Sequence, residues 1–398
     1  MDRMLKSWTV AGTMMALAAF AGCIDSTDRG DRSDIPEANN PPAKEVTVSV
    51  ESHGDLALAG PFTHENLALY ILRSNKKQPT EPDYITLEEG LKAGTVTVTE
   101  SEQEQVQQLL VTNKSDNPLY IQVGELVTGG KQDRTMQSSL VIPPNSGPTP
   151  IPSFCVEQGR WSGSKQFSGG YNYLPSNALK MSVQAGNQSV VWHNVAAYKS
   201  AARTLAPSGA AAAESTSSSV NEELESKPFK KLLEEYQLPL SGVLDELDNP
   251  VGLAFAVNGK ISTIDIYHSS KLFKKLFPKL LHSAAAEAIG NKTEKKDFDQ
   301  PTAQDVRDFT VAAWDAKERK GQLENDNIFL RISNDKAFAS QLSYQARFIH
   351  SQVLSKDADL GKGAALESIL QNHPEMQLQE SVVEPQQAPN PPAPETER

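Results

Sequence analysis

Cysteine is nearly absent from the sequence. Cys23 and Cys155 are the two in 398 residues, so no disulfide framework can replace a packed core. Aromatic residues are sparse at 7%, and the apolar share of 38% is low because polar stretches dilute it. Basic residues are outnumbered, 38 against 50 acidic ones, for a net charge of −12. That balance argues against a nucleic-acid polymer as partner, since phosphate binding needs a cationic surface. The seven histidines show no HxH or HxxxH spacing, so no dedicated metal site is expected. No GxSxG occurs, which excludes the nucleophile elbow of the α/β hydrolases. After the N-terminal signal no apolar run is long enough to span a bilayer. No internal repeat is visible, and no cofactor follows from any motif.

What is present begins with an address. Arg3 and Lys6 precede an apolar stretch from Trp8 to Phe20, the proportions of a secretory signal. Phe20-Ala21-Gly22-Cys23 resembles a bacterial lipobox. The resemblance implies cleavage after residue 22, lipidation of Cys23 and attachment to a membrane. Ile24 rather than Asp follows the cysteine, which points to the outer membrane. Residues 23–44 read as a polar tether, 45–354 as one globular unit with a flexible insert near 206–219, and 355–398 as a Pro-rich disordered tail.

Within the unit the expected class is α+β. The half before Trp161 reads as β-rich and antiparallel, a sandwich or partial barrel; the half after it reads as mixed helix and hairpin. Alternating Val46, Val48 and Val50 predict a strand, and Leu67–Leu72 a buried one. Thr86-Leu87-Glu88-Glu89 is a capping box for a short helix that Gly94 stops. Thr95–Thr99 is β-branched throughout. Leu109–Thr112 and Leu119–Val123 read as strands joined by an SDNP turn. Leu126–Thr128, Ser138–Ile142 and Ile151–Val156 extend the β-rich half, and Gly163–Gly170 reads as a loop. Helices are predicted over Leu174–Met181, Ser189–Leu205 and Asn221–Tyr236. Asn258-Gly259, between GLAFAV and KISTIDIY, predicts a type I′ hairpin. A helix from Ser270 follows, kinked or interrupted at Pro278, with Lys271, Lys274, Lys275 and Lys279 on a solvated face. Phe309–Trp314 and Asn327–Ile332 read as paired strands, and Phe348–Leu354 as a last strand or helix.

The chemistry concentrates in Gly124–Trp161. Two glycines, Gly129 and Gly130, precede Lys131, Gln132, Asp133 and Arg134; a proline-rich return leads to Cys155, Glu157, Gln158, Arg160 and Trp161. This is not a P-loop: the glycine spacing is one residue too long, and Gln132 stands where magnesium would need a hydroxyl. Charges that are costly to bury alone are expected to meet, so Glu125, Lys131, Gln132, Arg134, Glu157 and Arg160 are expected to line one concavity with Trp161 on its wall. Lys131, Gln132, Arg134, Gln158, Arg160 and Trp161 are the candidate ligand contacts. Glu157, Glu125 and Cys155 are the candidate catalytic groups, a carboxylate acid/base pair or a thiolate activated by a base such as His193. For each there is a structural alternative: buried packing for Cys155, and an ion pair with Arg134 or Arg160 for the carboxylates.

The run Tyr84-Ile85-Thr86-Leu87-Glu88-Glu89, Val123-Gly124-Glu125, Gly129-Gly130-Lys131-Gln132 with Arg134, Thr149-Pro150-Ile151-Pro152, Cys155-Val156-Glu157-Gln158-Gly159-Arg160-Trp161 and Trp192 resembles a bacterial family, the ARG-and-Rhodanese-Phosphatase-superfamily-associated protein domain, over roughly residues 65 to 350. The association with ADP-ribosylglycohydrolases and rhodanese-phosphatase proteins implies ADP-ribose or nucleotide chemistry. The expectation is a lipid-anchored extracytoplasmic protein binding a small polar, anionic ligand. A hydrolase or transferase using Glu157, Glu125 or Cys155, and an envelope scaffold binding another protein, are the alternatives.

Overall fold

The computed structural model describes residues 56–76, 82–101, 107–169, 172–205, 218–315, 318–324 and 326–357. The expected signal, tether and Val46–Val50 strand, nearly all of the expected 206–219 insert and the expected tail beyond 357 lie outside them. In chain order the first strands and helix are β1 (Leu56–His64), β2 (Leu67–Ser74), β3 (Ile85–Thr86), α1 (Leu87–Lys92), β4 (Val96–Glu100), β5 (Gln108–Asn113), β6 (Leu119–Ile121), β7 (Leu126–Gly129), β8 (Arg134–Met136), β9 (Leu140–Ile142), β10 (Ser146–Cys155) and β11 (Phe167–Gly169). A helical stretch follows: α2 (Asn177–Ala185), α3 (Gln188–Leu205), α4 (Val220–Glu225) and α5 (Lys227–Gln237). The chain closes with β12 (Pro250–Val257), β13 (Lys260–Tyr267), α6 (Ser270–Gly290), α7 (Ala303–Ala313), β14 (Glu318–Glu324), β15 (Asn327–Ser333), β16 (Ala337–Tyr344) and β17 (Arg347–Ser355).

The class is α+β, mostly antiparallel. One eight-stranded sheet runs β1-β2-β12-β13-β17-β16-β15-β14. It joins strands from both ends of the described chain. The LALYIL stretch of β2 is buried on both faces. Leu67, Leu69 and Ile71 pack with α6, while Ala68, Tyr70 and Leu72 pack on the side of Val306 and Ala313 of α7. A six-stranded sheet, β11-β7-β8-β10-β5-β4, and a three-stranded one, β3-β6-β9, carry the rest. In the small sheet β3 runs parallel to β6.

Local signals account for much of this. Thr86 and Glu89 close the capping box of α1. Asn258 and Gly259 take positive φ values of 54° and 76°, as a I′ turn requires, and β12 pairs with β13 across them. β17 is a strand, one of the two expected possibilities.

Several expectations are corrected. Leu109–Thr112 and Leu119–Val123 contain strands but not a hairpin. Both edges of β5 are taken, by β4 and β10, and Asn113 turns the chain away. Its buried amide donates to Asn117 O, Ile142 O and Pro143 O, and its Oδ1 accepts from Ser115. Phe309–Trp314 lies mostly within α7, not a strand; Thr302 and Asp305 form the capping box that starts this helix. The single helix expected over Asn221–Tyr236 is two, divided at Ser226, with Pro228 in the first turn of α5. The Gly163–Gly170 loop contains β11, paired to β7. Pro278 does not interrupt α6, which runs 21 residues. Pro278 and Lys274, four residues before it, are both exposed, so the carbonyl left without a donor faces water. Lys279 is not on a solvated face; it is buried.

Candidate functional site

The two segments singled out in the sequence lie side by side. β8 pairs with the end of β10 in the register Ser153↔Met136, Phe154↔Thr135 and Cys155↔Arg134. The loop from Gly129 to Arg134 therefore runs beside the chain leaving β10. Val156 N–H donates to Asp133 O at 3.0 Å, and Asp133 N–H donates to Glu157 Oε2 at 3.0 Å. Glycine is required where these loops touch. A Cβ on Gly130 would lie 2.3 Å from the Phe167 ring, and one on Gly163 would lie 2.4 Å from Gly130 O.

Arg160 fastens the two loops. Its Nε donates to Glu157 Oε1 at 2.7 Å and its Nη2 to Glu157 Oε2 at 2.7 Å, a two-point fork on one carboxylate. Nη1 donates to Gly130 O at 3.1 Å and Ser162 O at 2.8 Å. Nη2 also reaches Gly129 O at 3.3 Å and Asp133 Oδ1 at 3.4 Å. All five N–H groups of the guanidinium are thereby used. Asp133 Oδ2 accepts from Ser219 Oγ at 2.6 Å, and Oδ1 accepts from Gly129 N–H at 3.0 Å. Burial, with Glu157 adding to it, pushes the Asp133 carboxyl above its ordinary value despite these donors and Arg160. Hydrogen bonding to Glu157 holds the Arg160 guanidinium firmly charged.

Arg134 forms a second, wholly buried centre. Nη2 faces Glu100 Oε1 at 3.3 Å, and Nη1 donates to Gln132 O and Gln132 Oε1, each at 3.3 Å. Glu100 Oε1 also accepts the Lys131 backbone N–H at 3.2 Å. Above this pair lies Trp161, half-buried, with the Lys131 ammonium 5.1 Å and the Arg134 guanidinium carbon 6.0 Å from its ring centre. Gln158 and Gly159 are exposed beside it. Of the candidate ligand contacts, Lys131, Gln158 and Trp161 thus lie at the surface, Arg160 is partly exposed but fully engaged, and Gln132 and Arg134 are interior.

The candidate catalytic groups are not assembled as expected. Cys155 is fully buried, its backbone N–H and C=O held by the Gln188 amide at 2.9 and 2.8 Å. Burial raises its thiol to about 11, keeping it protonated, and His193 is exposed on α3. Glu157 is occupied by Arg160. Glu125 does not join the concavity and shares no partner with the Arg160 clamp. Its Oε1 accepts from Lys279 Nζ at 2.8 Å and its Oε2 from Gln122 N–H at 2.8 Å. An ion-pair role holds for Glu125, with a lysine of α6 in place of the arginines.

Glu125 leads instead to a polar cluster that sequence reasoning missed. Gln122 Oε1 accepts from Tyr120, Tyr173 and Tyr267 at 3.3, 2.9 and 2.6 Å. Its Nε2 donates to Asp265 Oδ1 at 3.3 Å, which also accepts from Gln352 and His350, both at 2.9 Å. Burial pushes all three tyrosine hydroxyls well above 10. The partners are up to 145 residues apart, so no spacing rule exposes them. The only local trace is polar residues at alternate positions of strands that are otherwise apolar.

Fold and site together define an α+β protein built around an antiparallel eight-stranded sheet, with a charged clamp below a half-buried tryptophan. The chain belongs to the ARPP-1 family, the ARG and Rhodanese-Phosphatase-superfamily-associated Protein domain, which matches residues 55–354. No curated protein and no solved structure matches it.

Proposed function

We propose that this is a lipid-anchored extracytoplasmic protein that binds a small anionic ligand at Trp161. The observation that carries the reading is the Lys131 ammonium 5.1 Å over the Trp161 ring, beside exposed Gln158. A planar group can stack on the indole while an ammonium and an amide receive its anionic part. The Arg160 clamp holds this surface rigid; Arg160, Glu157 and Arg134 act as its frame rather than as ligand contacts. The family association makes an ADP-ribose or nucleotide-like ligand the first to try. Anchoring rests on the Phe20–Cys23 lipobox, and Cys23→Ser should leave the protein unprocessed or released from the membrane.

ADP-ribose and AMP, titrated calorimetrically into the protein lacking residues 1–22, test the binding. Trp161→Ala and Lys131→Ala should each weaken binding about tenfold, the loss of one stacking or charged contact, with little change in melting temperature. Absence of heat with both probes, or variants that bind as the parent does, would overturn the reading.

A further inference from the structure

The buried cluster beneath α6 borders a cavity of about 10 Å³, with Gln122, Tyr173, Lys180, Asp265, Ser283 and Gln352 among its walls. Two of these side chains bring unfinished chemistry to it. Lys180 is buried, and the nearest carboxylate oxygen, Glu287 Oε2, stands 3.7 Å from its ammonium, too far for a hydrogen bond. Its ammonium also lies over the Phe255 ring, 5.3 Å from the centroid. Asp265 accepts its three hydrogen bonds from Gln122, His350 and Gln352 on Oδ1. Among the described residues nothing donates to its Oδ2. A buried donor and a buried acceptor, each costly to leave unmatched, therefore border one small space.

The occupant has to accept from an ammonium and donate to a carboxylate. A second cation would sit beside Lys180, and an anion beside Asp265; either would be repelled in a poorly solvated interior. A neutral dipole with both functions satisfies the two sides. The volume is about that needed to hold one water molecule. We infer that the cavity is a binding site for a single structural water, which bridges Lys180 Nζ to Asp265 Oδ2. The bridge connects the Asp265 cluster to Lys180, whose ammonium faces Glu287 as an ion pair at 3.7 Å. Beyond that ion pair, Ser262 donates to Glu287 and Asn177 donates to Ser262 O at 2.8 Å. The Asp265 cluster holds Gln122, His350, Gln352 and the three tyrosines. Gln184 of α2 already donates to Gln352 of β17 at 2.9 Å, and Lys279 of α6 reaches Gln122 through Glu125; the water adds a second tie, from Lys180 of α2 to Asp265 of β13.

A crystal structure at a resolution that shows ordered water tests the bridge directly. The expected result is one density peak within hydrogen-bond reach of both Lys180 Nζ and Asp265 Oδ2. An empty cavity, a direct Lys180–Asp265 contact that closes it, or a peak with the coordination of an ion would overturn the inference. In solution, oxygen-17 relaxation dispersion counts long-lived waters. Lys180→Met should lose one relative to the parent, and an unchanged count counts against the bridge. If that variant fails to fold, the density in the parent's crystal structure is sufficient to support or overturn it.

Discussion

Arg160 shows how one side chain can hold a loop crossing that no secondary structure covers. Its guanidinium satisfies one carboxylate at two points and three backbone carbonyls that would otherwise face a partly closed interior. Lysine in its place keeps the charge but cannot form the fork. Arg160→Ala leaves Glu157 buried with a backbone N–H as its remaining donor, at a cost of about 3 kcal/mol. Arg160→Lys should lose about half of that. Urea unfolding of the two variants checks both figures, and a loss below about 0.5 kcal/mol in Arg160→Ala would remove Arg160 from the frame.

Two histidines give the residue scale a pH dependence. His268 and His282 are half-buried, and among the described residues nothing bonds Nδ1 of either. Burial depresses both from 6.5 to about 4; Arg347 deepens the shift at His268, and at His282 Lys230 adds to it while Glu225 opposes it. Below pH 6.5 the unfolded chain takes up these protons and the folded chain does not. Stability is therefore fully present above pH 6.5 and falls as pH drops towards 4. His282→Gln should flatten the fall in that window, measured as urea midpoint against pH. An unchanged slope would mean that His282 is protonated in the folded protein.

At the scale of elements, legibility follows the distance between the residues that decide. The α1 capping box and the Asn258-Gly259 turn are set by neighbours within four positions, and both stand where the sequence places them. α7 escapes the pattern because Phe309, Val311 and Trp314 imitate a strand, while its capping box uses Asp305 instead of glutamate. β5 and β6 imitate a hairpin because the Asn113 bonds that separate them come from 29 and 30 residues away. The convergence of Lys131–Arg134 with Glu157–Arg160 is legible from charge alone. Which of those groups are consumed by one another is not, since Glu100 and Ser219 complete the clamp from distant segments.

The I′ hairpin supplies the element-scale prediction. Gly259 has φ 76°, and a Cβ there would lie 2.6 Å from Asp299 O. Gly94 has φ 69° with nothing within 4 Å of a Cβ. Alanine at Gly94 should cost about 1 kcal/mol, the conformational penalty alone. At Gly259 the same change adds a backbone clash, which brings the cost to about 2–3 kcal/mol. Thermal unfolding of the pair separates the two contributions. Equal losses would show that the chain around Asp299 yields without cost.

At the scale of the whole molecule, the eight-stranded sheet decides what can be separated. β1 and β2 come from the start of the described chain, yet β2 is paired along its length with β12, from Arg73↔Pro250 to Leu67↔Val257. β12 pairs in turn with β13, and β13 with β17. α6 packs on the same face as Leu67, Leu69 and Ile71. Lys279 of α6 bonds Glu125, and Asn327 of β15 exchanges two hydrogen bonds with Val141 of β9. Cutting the peptide chain inside residues 206–217 breaks none of these. Separation of the fragments would expose both faces of β2 and unpair a central strand, a loss far larger than total domain stability. A protease site placed in that segment should therefore yield two pieces that co-elute and melt in one transition. Fragments that part on a sizing column without denaturant would show that the sheet does not hold the two halves together.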